Sequence, residues 1–171
     1  NSATDEDGFI NTTGLVLLMH FNNETGENDS LVKDYSVEIN NERVASKQNN
    51  GTCSISAGNC SVYNFTSKKF GSASMHFDGV NDSILVGSDV SLRLENLTIA
   101  AWVKPSTLNK NQDIASRYSF VGYYLRLRST NQYEFTSVSG GSAVIDQWAH
   151  VVGVSDGPLG CKLYVNGNLT T

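Results

Sequence analysis

Basic residues are scarce in this chain. Lys and Arg together number 12 against 17 Asp and Glu, for a formal net charge of -5 and a pI near 5.1. No stripe of positive charge runs along the sequence, which excludes nucleic acid as a partner, because a phosphate backbone is held by clustered Lys and Arg. Long apolar runs are missing as well. The longest, Leu15 to Met19, has the length of a buried strand and falls far short of the ~18 residues of a membrane helix, so no membrane insertion is expected in this segment. Cysteine is limited to three residues. Cys53 and Cys60, with no His-x-x-x-His beside them, are too few for a zinc site.

The usual signatures of catalysis are also missing, and the chain is expected not to be an enzyme. Glycoside hydrolysis needs two carboxylates on one strand face, bracketing the sugar bond. Glu95, Glu134 and Asp146 stand alone, and Asp5 and Asp7 sit in a polar tail. The glycine pairs provide no nucleophile elbow of a serine hydrolase, and no phosphate-binding loop occurs. His20, His76 and His150 each fall inside a strand pattern, where a histidine lines or caps a sheet face. No helical period of useful length occurs anywhere.

What is present is a succession of short apolar blocks closed by Gly, Asn, Asp or Ser, the signal of antiparallel strands. Gly14 to Phe21 reads as the first strand and Val32 to Ser36 as a short second element. Val37 to Lys69 reads as a long polar loop with short strands inside it, one around Ser61 to Phe65. Ser74 to Phe77, Ser83 to Val86 and Leu97 to Lys104 follow. Asp113 to Ser116, Gly122 to Leu127 and Tyr133 to Val138 come next, the last with Ser139 to Ser142 as its turn. Trp148 to Val154, a turn at Asp156-Gly157-Pro158, and Cys161 to Val165 complete the set. Asn166-Gly167 is a strong hairpin turn.

The block from Phe70 to Pro105 carries a resemblance. The turn Phe77-Asp78-Gly79-Val80-Asn81-Asp82, then Leu97-Thr98-Ile99-Ala100-Ala101-Trp102-Val103-Lys104-Pro105, resembles the middle of a LamG-like jelly roll of the concanavalin A-like lectin/glucanase superfamily. Gln147 to Val154, with its Trp148-Ala149-His150-Val151 core, and Lys162-Leu163-Tyr164-Val165-Asn166-Gly167 are similar to later pieces of that family in the same order. The resemblance spans Gly14 to Gly167 and implies an all-β, two-sheet antiparallel jelly-roll sandwich with Trp102 and Trp148 in its core. The family pattern continues for roughly two further strands, so the sandwich is expected to lack its last strands within these residues. They lie beyond Thr171 or are supplied by another chain. On this reading residues 1–13 form a polar tail or linker, residues 14–171 form the sandwich, and residues 37–69 are a long decorated loop. The start at Asn1, without Met, marks a processed chain or a fragment.

Compartment is read from two features. Asn-x-Ser/Thr tripeptides occur at Asn11, Asn23, Asn28, Asn50, Asn59, Asn64, Asn81, Asn96 and Asn168, far more than ordinary composition provides. They point to a heavily N-glycosylated extracellular or cell-surface protein. Cys53 and Cys60 bracket a short polar loop that a disulfide would pin in an oxidising compartment, which leaves Cys161 over as a buried thiol or one with an outside partner.

Ligand sites are read from the aromatics and the acidic turn. Tyr118, Phe120, Tyr123, Tyr124 and Tyr133 interleave with Arg117, Arg126 and Arg128. Strand alternation puts Tyr124, Arg126 and Arg128 on one face, where Tyr124 either packs on the sheet or serves as an exposed platform for a sugar ring. Many superfamily members hold Ca2+ in edge loops. Asp78, Asn81 and Asp82 offer three oxygen side chains in one turn, either as ligands of a structural Ca2+ or as ordinary turn residues. The calcium ligands of pentraxin-like relatives find no match. The sum is a non-catalytic, extracellular, glycosylated β-sandwich module of a cell-surface, appendage or filament protein, structural or adhesive. The alternative is a carbohydrate-binding module of a larger secreted enzyme or adhesin. The partners expected are covalent N-glycans, other copies of the chain or a flanking domain, and polysaccharide.

Overall fold

The computed structural model describes residues 15–36, 49–117, 122–157 and 160–170. The tail 1–13, Gly14, residues 37–48 of the long loop, Tyr118, Phe120 and Pro158 lie outside the described residues. The chain divides into two compact units, Asn1–Leu92 and Arg93–Thr171. All strand pairings are antiparallel.

The first unit carries two small ladders. β1 (Leu31–Val32) pairs with β2 (Gly51–Thr52), and β3 (Val62–Asn64) pairs with β4 (Ser74–His76). The β3 strand falls where the sequence places one inside the long loop. Short 3-10 turns occupy Ile55–Ala57 and Val90–Leu92. Cys53 and Cys60 form a disulfide, their Cα atoms 5.2 Å apart.

The expected first strand is not one. Residues 15–21 are irregular, because side chains take up the backbone groups that a ladder would use. Asp34 is buried and accepts hydrogen bonds from the Leu18 and Ser36 amides at Oδ1 (3.0 and 2.9 Å) and from the Asn49 amide at Oδ2 (3.0 Å). Asn49 Nδ2 donates to the Val16 carbonyl at 3.0 Å, and the Tyr35 amide donates to the Leu18 carbonyl at 2.8 Å. A second buried carboxylate, Glu27, accepts from the amides of Glu24 (2.9 Å) and Lys33 (3.0 Å) and from the Tyr63 hydroxyl (3.2 Å). These two carboxylates organise the unit around Val32, Tyr35 and Tyr63. Ser83 to Val86 is likewise no full strand; it contributes a single bridge, Leu85 to Thr52.

The second unit is a two-sheet antiparallel sandwich, the architecture the resemblance implies. One sheet has the order β12-β11-β10-β5 and the other β6-β7-β8-β9. β5 (Asn96–Val103) lies beside β10 (Ala149–Asp156) over eight residues, and the chain passes to the second sheet as β6 (Gln112–Arg117), β7 (Tyr123–Leu127), β8 (Gln132–Phe135) and β9 (Val138–Ser142). It returns through β10, β11 (Cys161–Val165) and β12 (Asn168–Leu169). Ser139 to Ser142, expected as a turn, is the fourth strand of its sheet. The reversal comes earlier, at Thr136, whose φ of 52° supplies the left-handed step. Asn166 and Gly167, both at positive φ, make the expected hairpin, and β12 folds back on β11.

Alternation builds the core between these sheets. Leu125, Leu127, Tyr133, Phe135, Val151, Leu163 and Val165 point inward, with Cys161 half-buried against them. Phe135, Leu125, Val151 and Leu163 are fully buried, each contributing about 1.5–3 kcal/mol by loss of apolar surface from water. Leu97, Ile99, Ala101 and Val103 take the inner face of β5, so Trp102 falls on the other. Trp102 is 39% exposed, contrary to the core position expected of it, while Trp148 is half-buried.

Candidate functional site

The β6-β7-β8-β9 sheet presents the residues singled out for ligand binding. Alternation along β7 places Tyr124 and Arg126 opposite Leu125 and Leu127, as the sequence indicates. Tyr124 is nevertheless not an open platform. The Arg126 guanidinium lies 3.7 Å from the centroid of its ring, and its hydroxyl donates to the Thr136 carbonyl. Stacking of a cation on the ring and the bond at its tip fold the side chain onto the sheet.

Arg126 is drawn down by two carboxylates on flanking strands. Its Nε lies 3.1 Å from Glu134 Oε2, without hydrogen-bond alignment, and 4.0 Å from Asp113 Oδ1. Arg128 Nη1 lies 3.6 Å from Glu134 Oε1. Partial burial works against the Arg126 charge, yet Tyr124, Glu134 and Asp113 raise its pKa above the ordinary guanidinium value. Asp113 and Glu134, unremarked as a pair in the sequence, thus flank one cation. The signal for Glu134 was available: it faces Arg126 across the hairpin that joins β7 and β8. The space between the two carboxylates, where hydrolysis would place a glycosidic oxygen, is filled by that guanidinium.

The turn at Asp78–Asp82 is closed by one oxygen from each of its two carboxylates. Asp78 Oδ1 accepts from the amides of Val80 (2.7 Å) and Asn81 (3.4 Å), and Asp82 Oδ2 accepts from the Asp78 amide (2.8 Å). The Val80 amide, foremost, holds the Asp78 carboxyl below its ordinary range. Among the described residues no three His, Cys, Asp or Glu side chains are grouped to hold a metal ion.

One pattern escaped the reading of the sequence. Gly153-Val154-Ser155-Asp156-Gly157 has the Gly-x-Ser-x-Gly spacing. Ser155 lies in the regular β10 ladder, paired with Leu97 and Cys161, and its hydroxyl donates to the Glu95 carbonyl at 2.8 Å. A nucleophile elbow is a sharp strand-to-helix turn, which this is not. On the other sheet's outer face, Trp102 stacks on His150, ring centroids 4.9 Å apart.

None of the described asparagines of the Asn-x-Ser/Thr tripeptides is fully buried. Asn23, Asn28, Asn81, Asn96 and Asn168 are exposed, and Asn50, Asn59 and Asn64 are half-buried; Asn11 lies outside the described residues. Asn28 Oδ1 accepts from both the amide (2.9 Å) and hydroxyl (2.7 Å) of Ser30, and Asn64 Oδ1 does the same with Thr66 (2.9 and 3.0 Å). In each the acceptor oxygen turns toward its own Ser or Thr.

A laminin G family model, described as the Concanavalin A-like lectin/glucanases superfamily, matches residues 77–171. That range opens at the Phe77–Asp82 turn and includes Trp102, Trp148 and the Asn166-Gly167 hairpin, while residues 15–21 precede it. No curated protein and no solved structure matches the chain. With more than half of its length matched, and a two-sheet antiparallel sandwich in its second unit, the chain belongs to the concanavalin A-like lectin/glucanases superfamily.

Proposed function

We propose that this chain is a non-catalytic, extracellular, N-glycosylated β-sandwich module of a cell-surface, appendage or filament protein, with a structural or adhesive role. The observation that carries the reading is the set of Asn-x-Ser/Thr tripeptides: none of the eight described has a buried asparagine. Exposure alone is ordinary for asparagine; what exceeds ordinary composition is that nine such tripeptides occur in the chain. The Cys53–Cys60 disulfide supports it, because such a bond persists in an oxidising compartment. Laminin G-like domains are commonly extracellular, and family membership suits a structural or carbohydrate-binding module.

The test is the intact mass of the native protein, denatured, before and after release of N-glycans by an amidase. A mass that falls on treatment supports the reading. A mass that the amidase leaves unchanged removes its main support.

Carbohydrate binding is the second reading, and Trp102 favours it over Tyr124. An indole 39% exposed beside His150 on the outer face of its sheet offers an aromatic surface to a sugar ring, whereas the Arg126 guanidinium lies over the Tyr124 ring. A glycan array without binding at millimolar concentrations would sink it. Asp78 Oδ1 and Asp82 Oδ2 are engaged by the amides that form the turn, and no observation favours a structural Ca2+ there, so no cofactor enters the proposal.

A further inference from the structure

We infer that Asn59 is a glycan acceptor whose occupancy is set by a race with closure of the Cys53–Cys60 disulfide. The inference rests on the N-glycosylated reading above. Cys60 is the middle residue of the tripeptide Asn59-Cys60-Ser61, so one residue belongs both to the acceptor motif and to the ring. Among the described acceptor sites, this coincidence occurs at Asn59 alone.

The folded ring takes the motif out of reach. Asn59 is half-buried, and its Oδ1 accepts from the Ser54 amide at 2.9 Å. Its backbone is held on both sides: the amide reaches the Ser54 carbonyl at 3.5 Å, and the carbonyl accepts from the Ser83 amide at 3.0 Å. Ser61, whose hydroxyl the transferase must read, is 0% exposed. Asn28 and Asn64 differ, since the hydroxyl of each motif bonds its own asparagine and no disulfide ties the middle residue.

Ser61 supplies an independent observation. Its hydroxyl is buried and has no hydrogen-bond partner among the described residues. A buried unpaired hydroxyl is destabilising, and alanine would fill the same place without it. A role before folding, as the hydroxyl of the acceptor motif, explains why serine stands there.

Two reactions therefore compete for the open chain. In one, Asn59 Nδ2 forms a bond to the anomeric carbon of a lipid-linked oligosaccharyl pyrophosphate. The carbon–oxygen bond to pyrophosphate breaks, and the amide proton leaves with the pyrophosphate. In the other, the Cys53 and Cys60 thiols give up two protons and two electrons to a disulfide-bearing oxidase, which is reduced to its dithiol. Ring closure ends the access of the transferase.

The experiment is site-by-site occupancy in the full chain, secreted from an N-glycosylating host. Release of glycans in 18O water marks each used asparagine for peptide mass spectrometry. In the unaltered chain Asn59 is expected to be used less than Asn28 and Asn64. In Cys53→Ser/Cys60→Ser, which keeps an acceptor motif at Asn59, its occupancy is expected to rise at least twofold while Asn28 and Asn64 stay constant. Because that variant can misfold, the unaltered chain is also expressed under a membrane-permeant thiol reductant, which delays closure and is expected to produce the same rise. Full use of Asn59 in the unaltered chain, or no rise under either condition while Asn28 and Asn64 are glycosylated, overturns this inference alone. No glycan at any site overturns it together with the proposed function.

Discussion

Asp78 shows what one residue does here. Its carboxylate is fully exposed, and its role is local: it accepts the Val80 and Asn81 amides and so closes the turn between β4 and the bridge at Leu85. The Val80 amide, above the other causes, depresses its pKa. A depressed folded value means that the turn's stabilisation is present above the ordinary carboxylate range and is lost as pH falls through the folded value. Acidification below that range is therefore expected to lower the protection factor of the Val80 amide, its exchange compared with that of an unstructured chain at the same pH, with Asp78→Asn weakening the pH dependence. Rapid Val80 exchange at neutral pH would contradict it. The sequence placed Asp78, Asn81 and Asp82 in one turn, as ligands of a cation or as turn residues. Which of their oxygens meet the turn's own amides depended on its dihedral angles, which residue types constrain but do not determine.

At the scale of elements, β10 and β8 meet where Gly153 faces Phe135. A Cβ built on Gly153 would lie 2.2 Å from the Phe135 ring, which is fully buried. Gly153→Ala is thus expected to destabilise the second unit by about 1–3 kcal/mol through overpacking. Denaturant unfolding measures this, and Gly153→Ala/Phe135→Leu is expected to recover part of the loss. An unchanged unfolding midpoint would show that the ring is free to move. Sequence periodicity found most strands of this unit, because each strand alternates against a single core. It missed β9, where Gly140 and Gly141 imitated a turn, and it expected a strand at Gly14 to Phe21, where an apolar run is instead pinned by Asp34 and Asn49. Both errors share a cause. Propensity sees one segment, and the partner that satisfies its backbone is remote in sequence.

The whole molecule is acidic and carries many apolar side chains on its surface. Val80 is 82% exposed, Phe65 55% and Leu169 56%. Each adjoins the asparagine of an Asn-x-Ser/Thr tripeptide, Asn81, Asn64 and Asn168 respectively, so on the proposed reading glycans there would cover apolar surface. Enzymatic deglycosylation is expected to increase binding of a hydrophobic dye and to cause precipitation near the pI of about 5.1, where charge repulsion vanishes. Light scattering against pH checks this; equal solubility with and without glycans would count against a shielding role. The sequence by itself determined the all-β class, the family resemblance, the Cys53–Cys60 pair and the positions of the Asn-x-Ser/Thr tripeptides. These depend on alternation, short motifs and local spacing, all of which are written along the chain. Only the tertiary structure decided that Arg126 lies over Tyr124, that Asp113 and Glu134 flank it, that Trp102 faces outward, and that Ser61 is buried beside a closed ring. Those facts depend on the register between strands and on which side chain reaches a given backbone group first, and neither is a property of any one segment.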